Sequence, residues 1–385
     1  MKRKVNSFFF PIQFGIGIQS GTEIMVQTII TYLKKNPKHV ALHGDALNAF
    51  NSWNRNVLWE TLDESFPELS NIIRFSYESP TSILLQENPN DPTEIMSSVG
   101  SRQGCTFGSF TFSLAMHKIL VQLQREFQDC LIIAYCDDLW IMGNGISASN
   151  AYRRWKILYN QHMEGSLRND KGKCFSPELS EIQVREANLP RDIPFSNEGT
   201  VALGTPIGTE KFIHDELKKV VDKAIDDVHT ILRMPSIQAQ HCLITRGICP
   251  RLLHHWRIIP TVNICTINSR SDLREVFKPF DDVLRKYAQS LSKHHKISND
   301  AWTVATLPSS LGGLGLTTWE DTKDPAFLAS YSVTNRAINH LFPKLSNALQ
   351  PPTHQPTHNS HPTSMAAHLS YRRLNHLNPS ISNLI

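Results

Sequence analysis

The sequence predicts an α+β fold: a small antiparallel sheet with helices packed on one face, followed by a helix-rich region. Three observations predict it. Apolar residues recur at helical spacing in SGTEIMVQTIITYLKK (20–35) and in FTFSLAMHKILVQLQREF (110–127). Two short apolar runs, LIIAYCDD (131–138) and LWIMGNG (139–145), meet at an aspartate pair, which reads as a β-hairpin with carboxylates at its turn. Residues 211–300 carry helical patterns and few strand signals.

In chain order, Ser20 stands three residues before Glu23, a capping-box signature, and predicts a helix over about 21–35. HVALHGD (39–45) is short and apolar and predicts a buried strand ending at Asp45. WNRNVLWETLDESF (53–66) reads as a helix. GSRQGCTFGS opens as a Gly-rich loop and runs into a helix whose Phe110, Leu114, Leu120, Leu123 and Phe127 form one core-facing stripe. SNAYRRWKILYNQHM (149–163) reads as a further helix. Helices thus alternate with a strand and a hairpin over 21–165, the layer pattern of an α+β domain.

At 385 residues the chain is long enough for two or three subdomains. A net charge of +4 does not by itself demand a nucleic-acid partner. Its distribution says more: between 228 and 271 stand Arg233, Arg246, Arg251, Arg257 and Arg270, with no Asp or Glu. Such a segment can face phosphates, or can simply be a solvated face. The seven cysteines form no C-x-x-C pair, and Cys242, Cys249, His254 and His255 match no standard zinc-finger spacing. No run reaches the ~18 apolar residues of a membrane span and no signal peptide is visible, so an intracellular protein is expected. After about 349 the composition turns to PPTHQPTHNSHPTS, and disorder is expected.

The aspartate pair poses the chemical question. An ionised carboxylate among apolar residues is costly unless a positive group meets it. Asp137 and Asp138 therefore either sit on an exposed turn or share a cation. Asp45, at the end of a strand, and Gln103–Gly104, in a loop that opens a helix, could complete a site with them. Three convergent carboxylates suit two-metal phosphoryl transfer, in which two Mg²⁺ ions about 3.5–4 Å apart share hard oxygen ligands.

DALNAFNS (45–52), SRQGCTFGSFTFSLAMH (101–117) and AYCDDLWIMG (134–143), in that order, resemble motifs A, B and C of reverse transcriptases, with the nearest likeness to enzymes of retrotransposons without long terminal repeats. LGTPIG (203–208) is similar to the family's segment E, and LPSSLGGLGL (307–316) to a stretch after the thumb. The resemblance spans about 11–320 and implies a right-hand polymerase palm with a helical thumb. It implies that Asp45, Asp137 and Asp138 are the catalytic carboxylates, holding two Mg²⁺ (or Mn²⁺) ions with the Ala46 carbonyl. Phe50 matches a steric gate against the ribose 2′-hydroxyl, although a core aromatic is the alternative. Gln103 and Gly104 match the nucleotide pocket, and Tyr135 and Cys136 the positions beside the primer terminus.

GSLRNDKGKCF (165–175) resembles motif D with its spacing off by one, so Lys171 and Lys173 both remain candidates for the lysine near the pyrophosphate. Leu203 and Gly204 would belong to a primer grip, and Arg233, Arg246, Arg251 and Arg257 to a thumb that contacts the nucleic-acid backbone. The implied partners are an RNA template, a DNA primer and deoxynucleoside triphosphates, and the implied location is nuclear. Family members carry basic fingers strands before the segment matched by FFFPIQFGIGIQSGTE. Only Lys2, Arg3 and Lys4 supply side-chain cations there, so the sequence reads as N-terminally truncated with Phe8–Phe10 left exposed.

The expected organisation is a fingers remnant over 1–38, a palm over 39–210, a thumb and post-thumb segment over 211–335 and a partly disordered tail over 336–385. The alternatives are a catalytically inactive remnant that binds nucleic acid and an RNA-dependent RNA polymerase, which Phe50 disfavours.

Overall fold

The structure is a computed structural model that describes residues 1–88, 91–259, 275–292 and 296–345. Arg270 and the Pro/His/Thr-rich tail lie outside the described residues. The chain divides into two compact units, Met1–Leu203 and Gly204–Ile385.

The first unit opens with α1 (Lys2–Phe9) and α2 (Gly21–Lys35), which leads into β1 (Val40–Gly44). α3 (Ala49–Ser52), α4 (Trp59–Ser65) and α5 (Pro67–Tyr77) follow, then the hairpin β2 (Thr81–Asn88) and β3 (Asp91–Ser97). The helix α6 (Gly108–Glu126) precedes the hairpin β4 (Leu131–Tyr135) and β5 (Asp138–Gly143). α7 (Gly145–Met163), β6 (Lys173–Phe175), α8 (Glu181–Glu186), β7 (Phe195–Ser196) and β8 (Gly199–Ala202) complete the unit.

One five-stranded sheet, ordered β4-β5-β1-β6-β7, carries the site. Its pairs are antiparallel except β6 with β7. β1 lies in the middle, and all five of its residues are buried. Because side chains alternate across a strand, Val40, Leu42, Ile132, Leu139 and Ile141 form one apolar set. They join the cluster built with Leu114, Leu120 and Leu123 of α6 and Tyr152 and Trp155 of α7. Of the predicted α6 stripe, Leu114, Leu120 and Leu123 enter this core, whereas the partly buried Phe110 packs on Phe9 and Phe66 and Phe127 follows the end of the helix. Gly44 is required where it stands: a Cβ there would come within 2.0 Å of the Trp155 ring.

Local readings fail where a tertiary contact or a proline intervenes. α2 spans the expected residues, but Ser20 adopts φ 56°, ψ 30° and makes no side-chain cap. A capping serine normally sits in the extended region, from which its oxygen reaches the first turn. The single helix expected over 53–66 is a 3₁₀ turn (Arg55–Leu58) followed by α4, and α5 begins at Pro67. Proline disfavours helical backbone at the residue before it, and Phe66 accordingly takes φ −138°, ψ 53°. Phe8–Phe10 are not an exposed patch. Phe9 is fully buried, and Phe8 packs on Phe66 and His117.

The second unit opens with β9 (Thr205–Gly208) and continues through α9 (Glu210–Ile231), α10 (Ile237–Leu243), a π-helical turn (Ile244–Ile248) and α11 (Cys249–Ile258). α12 (Lys278–Leu291), α13 (Asn299–Thr306) and α14 (Trp319–Leu341) follow. Leu217, Val221, Ala224 and Val228 line one face of α9 at helical spacing and share a core with Trp256, Phe280, Leu284 and Trp319. The Asp281 carboxylate of α12 accepts the Trp319 and Glu320 backbone N–H groups at 2.9 and 3.1 Å, and so ties α12 to the start of α14. Among the described residues no helix is long and apolar enough to cross a membrane.

Candidate active site

Asp45 stands where β1 ends. Beyond it the chain runs beside the segment that follows α7: Leu47 N–H donates to Ser166 O and Arg168 N–H to Asp45 O, both at 2.9 Å. Asn48, at φ 47°, then turns the chain into α3, which carries Phe50. The Phe50 ring stacks on the fully buried Phe112 of α6, with centroids 4.6 Å apart and planes 29° apart.

The loop before α6 is drawn to α3 by backbone bonds from Gly100 N–H to Trp53 O and from Ser101 N–H to Phe50 O. Arg55, only 4% exposed, braces the same loop by donating to the carbonyls of Ser97, Val99 and Gly100. No sequence motif marked Arg55. Its role appears only in the geometry, because three of its four acceptors are backbone carbonyls, the fourth being the Ser97 hydroxyl.

On the other side, β4 and β5 meet at a two-residue turn, Cys136–Asp137, with Tyr135 paired to Asp138 across it. Cys136 adopts φ 53°, a left-handed conformation that costs a non-glycine residue about 1 kcal/mol or more. The turn brings Asp137 to the end of β1. Asp137 and Asp45, 92 residues apart in sequence, line one cavity of about 320 Å³ together with Ala46, Phe50, Gln103, Arg168 and Lys171.

The remaining candidates divide. Gly104 (φ 83°) lies in the loop beside Gln103 without lining this cavity, and neither Tyr135 nor Cys136 lines it. Lys171 lines it. Lys173 does not: it stands opposite His43 in the sheet. Arg168, which the motif reading passed over, is ion-paired to Asp170 at 2.7 Å.

Asp138 takes a different partner from Asp137. Its Oδ1 lies 2.8 Å from His43 Nε2, and its side chain is 41% exposed. Among the described residues no group of three or more His, Cys, Asp or Glu side chains is arranged to hold a metal ion. Even so, the electrostatics of the pair Asp45–Asp137 fit a cation. Burial pushes the Asp137 carboxyl above the usual carboxylate range, its own backbone N–H pulls it down, and the nearby Asp138 and Asp45 charges push it up again. A divalent cation beside Asp137 would remove both the burial cost and the repulsion.

In the second unit, Arg233 and Arg246 are exposed, Arg257 is half-buried and Arg251 is ion-paired to Asp227 at 2.8 Å. Leu203 (φ 48°) and Gly204 (φ 78°) form the turn between β8 and β9. Cys242 is exposed and Cys249 buried, and among the described residues Cys242, Cys249, His254 and His255 form no group arranged to hold a metal ion.

The family model for reverse transcriptase (RNA-dependent DNA polymerase) matches residues 3–175. That match lies within the first unit and takes in the three ordered motifs. The matched stretch contains Asp45, Phe50, Gln103, Asp137 and Lys171.

Among solved structures, the chain is similar to telomerase from Candida albicans in complex with a fragment of telomeric RNA. That likeness is at 10% identity and TM-score 0.43, covering 96% of this chain and 57% of that one. It is also similar to apo telomerase from Candida tropicalis, at 11% identity and TM-score 0.40, covering 84% and 50%. The C-terminally truncated form of the latter gives 14% identity and TM-score 0.37, covering 49% and 38%. The chain thus spans between 38% and 57% of the length of these three structures. No curated protein matches the chain.

Proposed function

We propose that the chain is the RNA-directed DNA polymerase of a retrotransposon without long terminal repeats, acting in the nucleus by two-metal nucleotidyl transfer. The observation that carries this reading is the meeting of Asp45 and Asp137 in one cavity with Phe50 and Gln103. The order of the three motifs, with LGTPIG and LPSSLGGLGL after them, supports the retrotransposon assignment.

In this reading Asp45 and Asp137, with the Ala46 carbonyl and a share of Asp138, hold two Mg²⁺ or Mn²⁺ ions. When bound, the ions supply a more acidic primer 3′-hydroxyl and neutralise charge on the leaving pyrophosphate. The protein's own groups do the rest. Phe50, stiffened by its stack on Phe112, blocks the place of a ribose 2′-hydroxyl and so selects deoxynucleoside triphosphates. Gln103 and Gly104 line the approach of the nucleotide, with glycine letting the backbone come close. Lys171 and Arg168 present positive charge to the phosphates, and Lys171 takes the role that its spacing left shared with Lys173. Tyr135 and Cys136 stand beside the primer terminus, and Leu203–Gly204 grip the primer. Arg233, Arg246, Arg251 and Arg257 contact the sugar–phosphate backbone of an RNA template and DNA primer.

A second reading, a catalytically silent remnant that binds nucleic acid, is favoured by the Asp138–His43 pair, which engages one of the three carboxylates. Extension of a DNA primer on an RNA template with Mg²⁺ and deoxynucleoside triphosphates separates the two. The polymerase reading requires extension by the wild-type chain and none by Asp45→Asn. Template–primer binding without extension would establish the remnant.

A further inference from the structure

The turn that carries Asp137 is held by a residue 123 positions away in sequence. Gln13 is fully buried. Its Oε1 accepts the Cys136 backbone N–H at 2.6 Å, and its Nε2 donates to Cys136 O at 3.1 Å. Both backbone groups of one residue are therefore satisfied by one side-chain amide, which acts here as a neighbouring strand's peptide would. The same Oε1 also accepts the Gly15 N–H at 3.1 Å.

The backbone around Gln13 is fixed to β4 as well. Ala134 N–H donates to Ile12 O and Phe14 N–H to Ala134 O, each at 2.7 Å. Contact is close enough that a Cβ on Gly15 would come within 2.6 Å of Cys136 Sγ and 2.7 Å of Cys136 N. Residues 12–15 thus form a strap along the edge of the hairpin, with the amide of Gln13 plugged into its turn. Cys136 is the residue held at φ 53°. A strained conformation persists only where its surroundings over-determine it, and a buried peptide N–H and C=O without partners would favour a different turn.

We propose that Gln13 is a positioning residue for the carboxylate hairpin: its amide locks Cys136 in the left-handed conformation that turns Asp137 into the cavity with Asp45. The proposal rests on the reading of Asp137 as a site carboxylate, and it concerns how that carboxylate is aimed. Gln13 does not line the cavity, and its side-chain hydrogen bonds to the turn all go to Cys136, so it acts on Asp137 through Cys136.

The test uses the full chain and two variants. Gln13→Met keeps the length and volume and removes all three hydrogen bonds. Gln13→Glu keeps the acceptor oxygen and loses the Nε2 donor, and it preserves a readout if Gln13→Met does not fold. The first measurement is hydrogen exchange over residues 132–138 without metal or nucleotide. Exchange of the Cys136 amide rises about tenfold or more in Gln13→Met and less in Gln13→Glu, while amides of the second unit are unchanged. The second is steady-state primer extension, in which kcat falls about tenfold to a hundredfold and KM for the nucleotide stays within about threefold, as a misaimed group requires.

Unchanged Cys136 exchange in Gln13→Met would overturn the clamp. Faster exchange with wild-type kcat would overturn the positioning role. A wild-type chain that extends no primer would refute the polymerase reading, and the exchange rates would still decide the clamp.

Discussion

His43 and Asp138 meet at 2.8 Å across β1 and β5, on the face of the sheet that also carries Trp140. The pair occupies Asp138 Oδ1, so a cation recruiting this carboxylate must share it with an imidazole. His43→Phe keeps the ring packing against Trp140, whose centroid is 5.0 Å away, and removes the competitor. A hydrogen bond to a charged group is worth about 1.5–3 kcal/mol, and part of that is recovered by the metal. The Mg²⁺ concentration for half-maximal extension is therefore expected to fall several-fold in His43→Phe, read from a Mg²⁺ titration of primer extension. An unchanged midpoint would mean that Asp138 takes no part in metal binding.

The stack of Phe50 on Phe112 holds its ring against a buried wall, and the proposed role of that ring is exclusion of a ribose 2′-hydroxyl. Phe50→Ala is expected to lower discrimination against ribonucleotides by about tenfold or more while leaving deoxynucleotide use within a few-fold, since nothing attractive is lost. The check is the ratio of incorporation efficiencies for matched deoxy- and ribonucleotides. An unchanged ratio would make Phe50 a core aromatic only.

Gly44 precedes Asp45 directly and lies under the Trp155 ring. Gly44→Ala is expected to destabilise the first unit by about 1–3 kcal/mol, the usual cost of overpacking a filled core. Urea denaturation followed at the buried tryptophans measures it. Trp155→Phe in the same chain should recover part of the loss, because the smaller ring frees the space.

Asp281 gives the second unit a pH dependence. Burial raises its carboxyl to about 6, although the Trp319 and Glu320 N–H groups pull it down. An acid whose folded value exceeds its unfolded value of 3.8 binds its proton more tightly when folded. Its contribution to stability is thus full below about pH 4 and is lost as pH rises through about 6, on the order of 2–3 kcal/mol. Thermal melts of wild type and Asp281→Asn between pH 4 and 7.5 check the sign: the wild-type chain should lose more stability across that window than the variant.

Much of this architecture can be read in the sequence because it is set by local pattern. α2, β1, α6 and the β4–β5 hairpin follow from apolar periodicity, and the order of the three motifs locates Asp45, Gln103 and Asp137 in the cavity. The unread parts have physical reasons. Gln13 bonds backbone atoms and Arg55 chiefly backbone carbonyls, and a backbone partner leaves no residue type in the sequence to pair with. The hairpin over 81–97 exposes Ile83, Leu84, Ile95 and Met96, so burial does not impose a one-sided alternation on it. The choice between Lys171 and Lys173 depends on the register of β6, which fixes Lys173 opposite His43 and leaves Lys171 in the turn before the strand. Sequence spacing alone cannot set that register.

The most direct measurement concerns Asp137, whose charge is disfavoured in the folded chain by burial and by Asp138 and Asp45. Asp137→Asn changes the charge with almost no change in shape. RNA-templated primer extension with Mg²⁺, run beside metal-free thermal melts of the same preparations, should show two opposite effects: loss of extension and a melting temperature equal to or above that of wild type. Extension at near-wild-type rates by Asp137→Asn would contradict the two-metal assignment of this cavity.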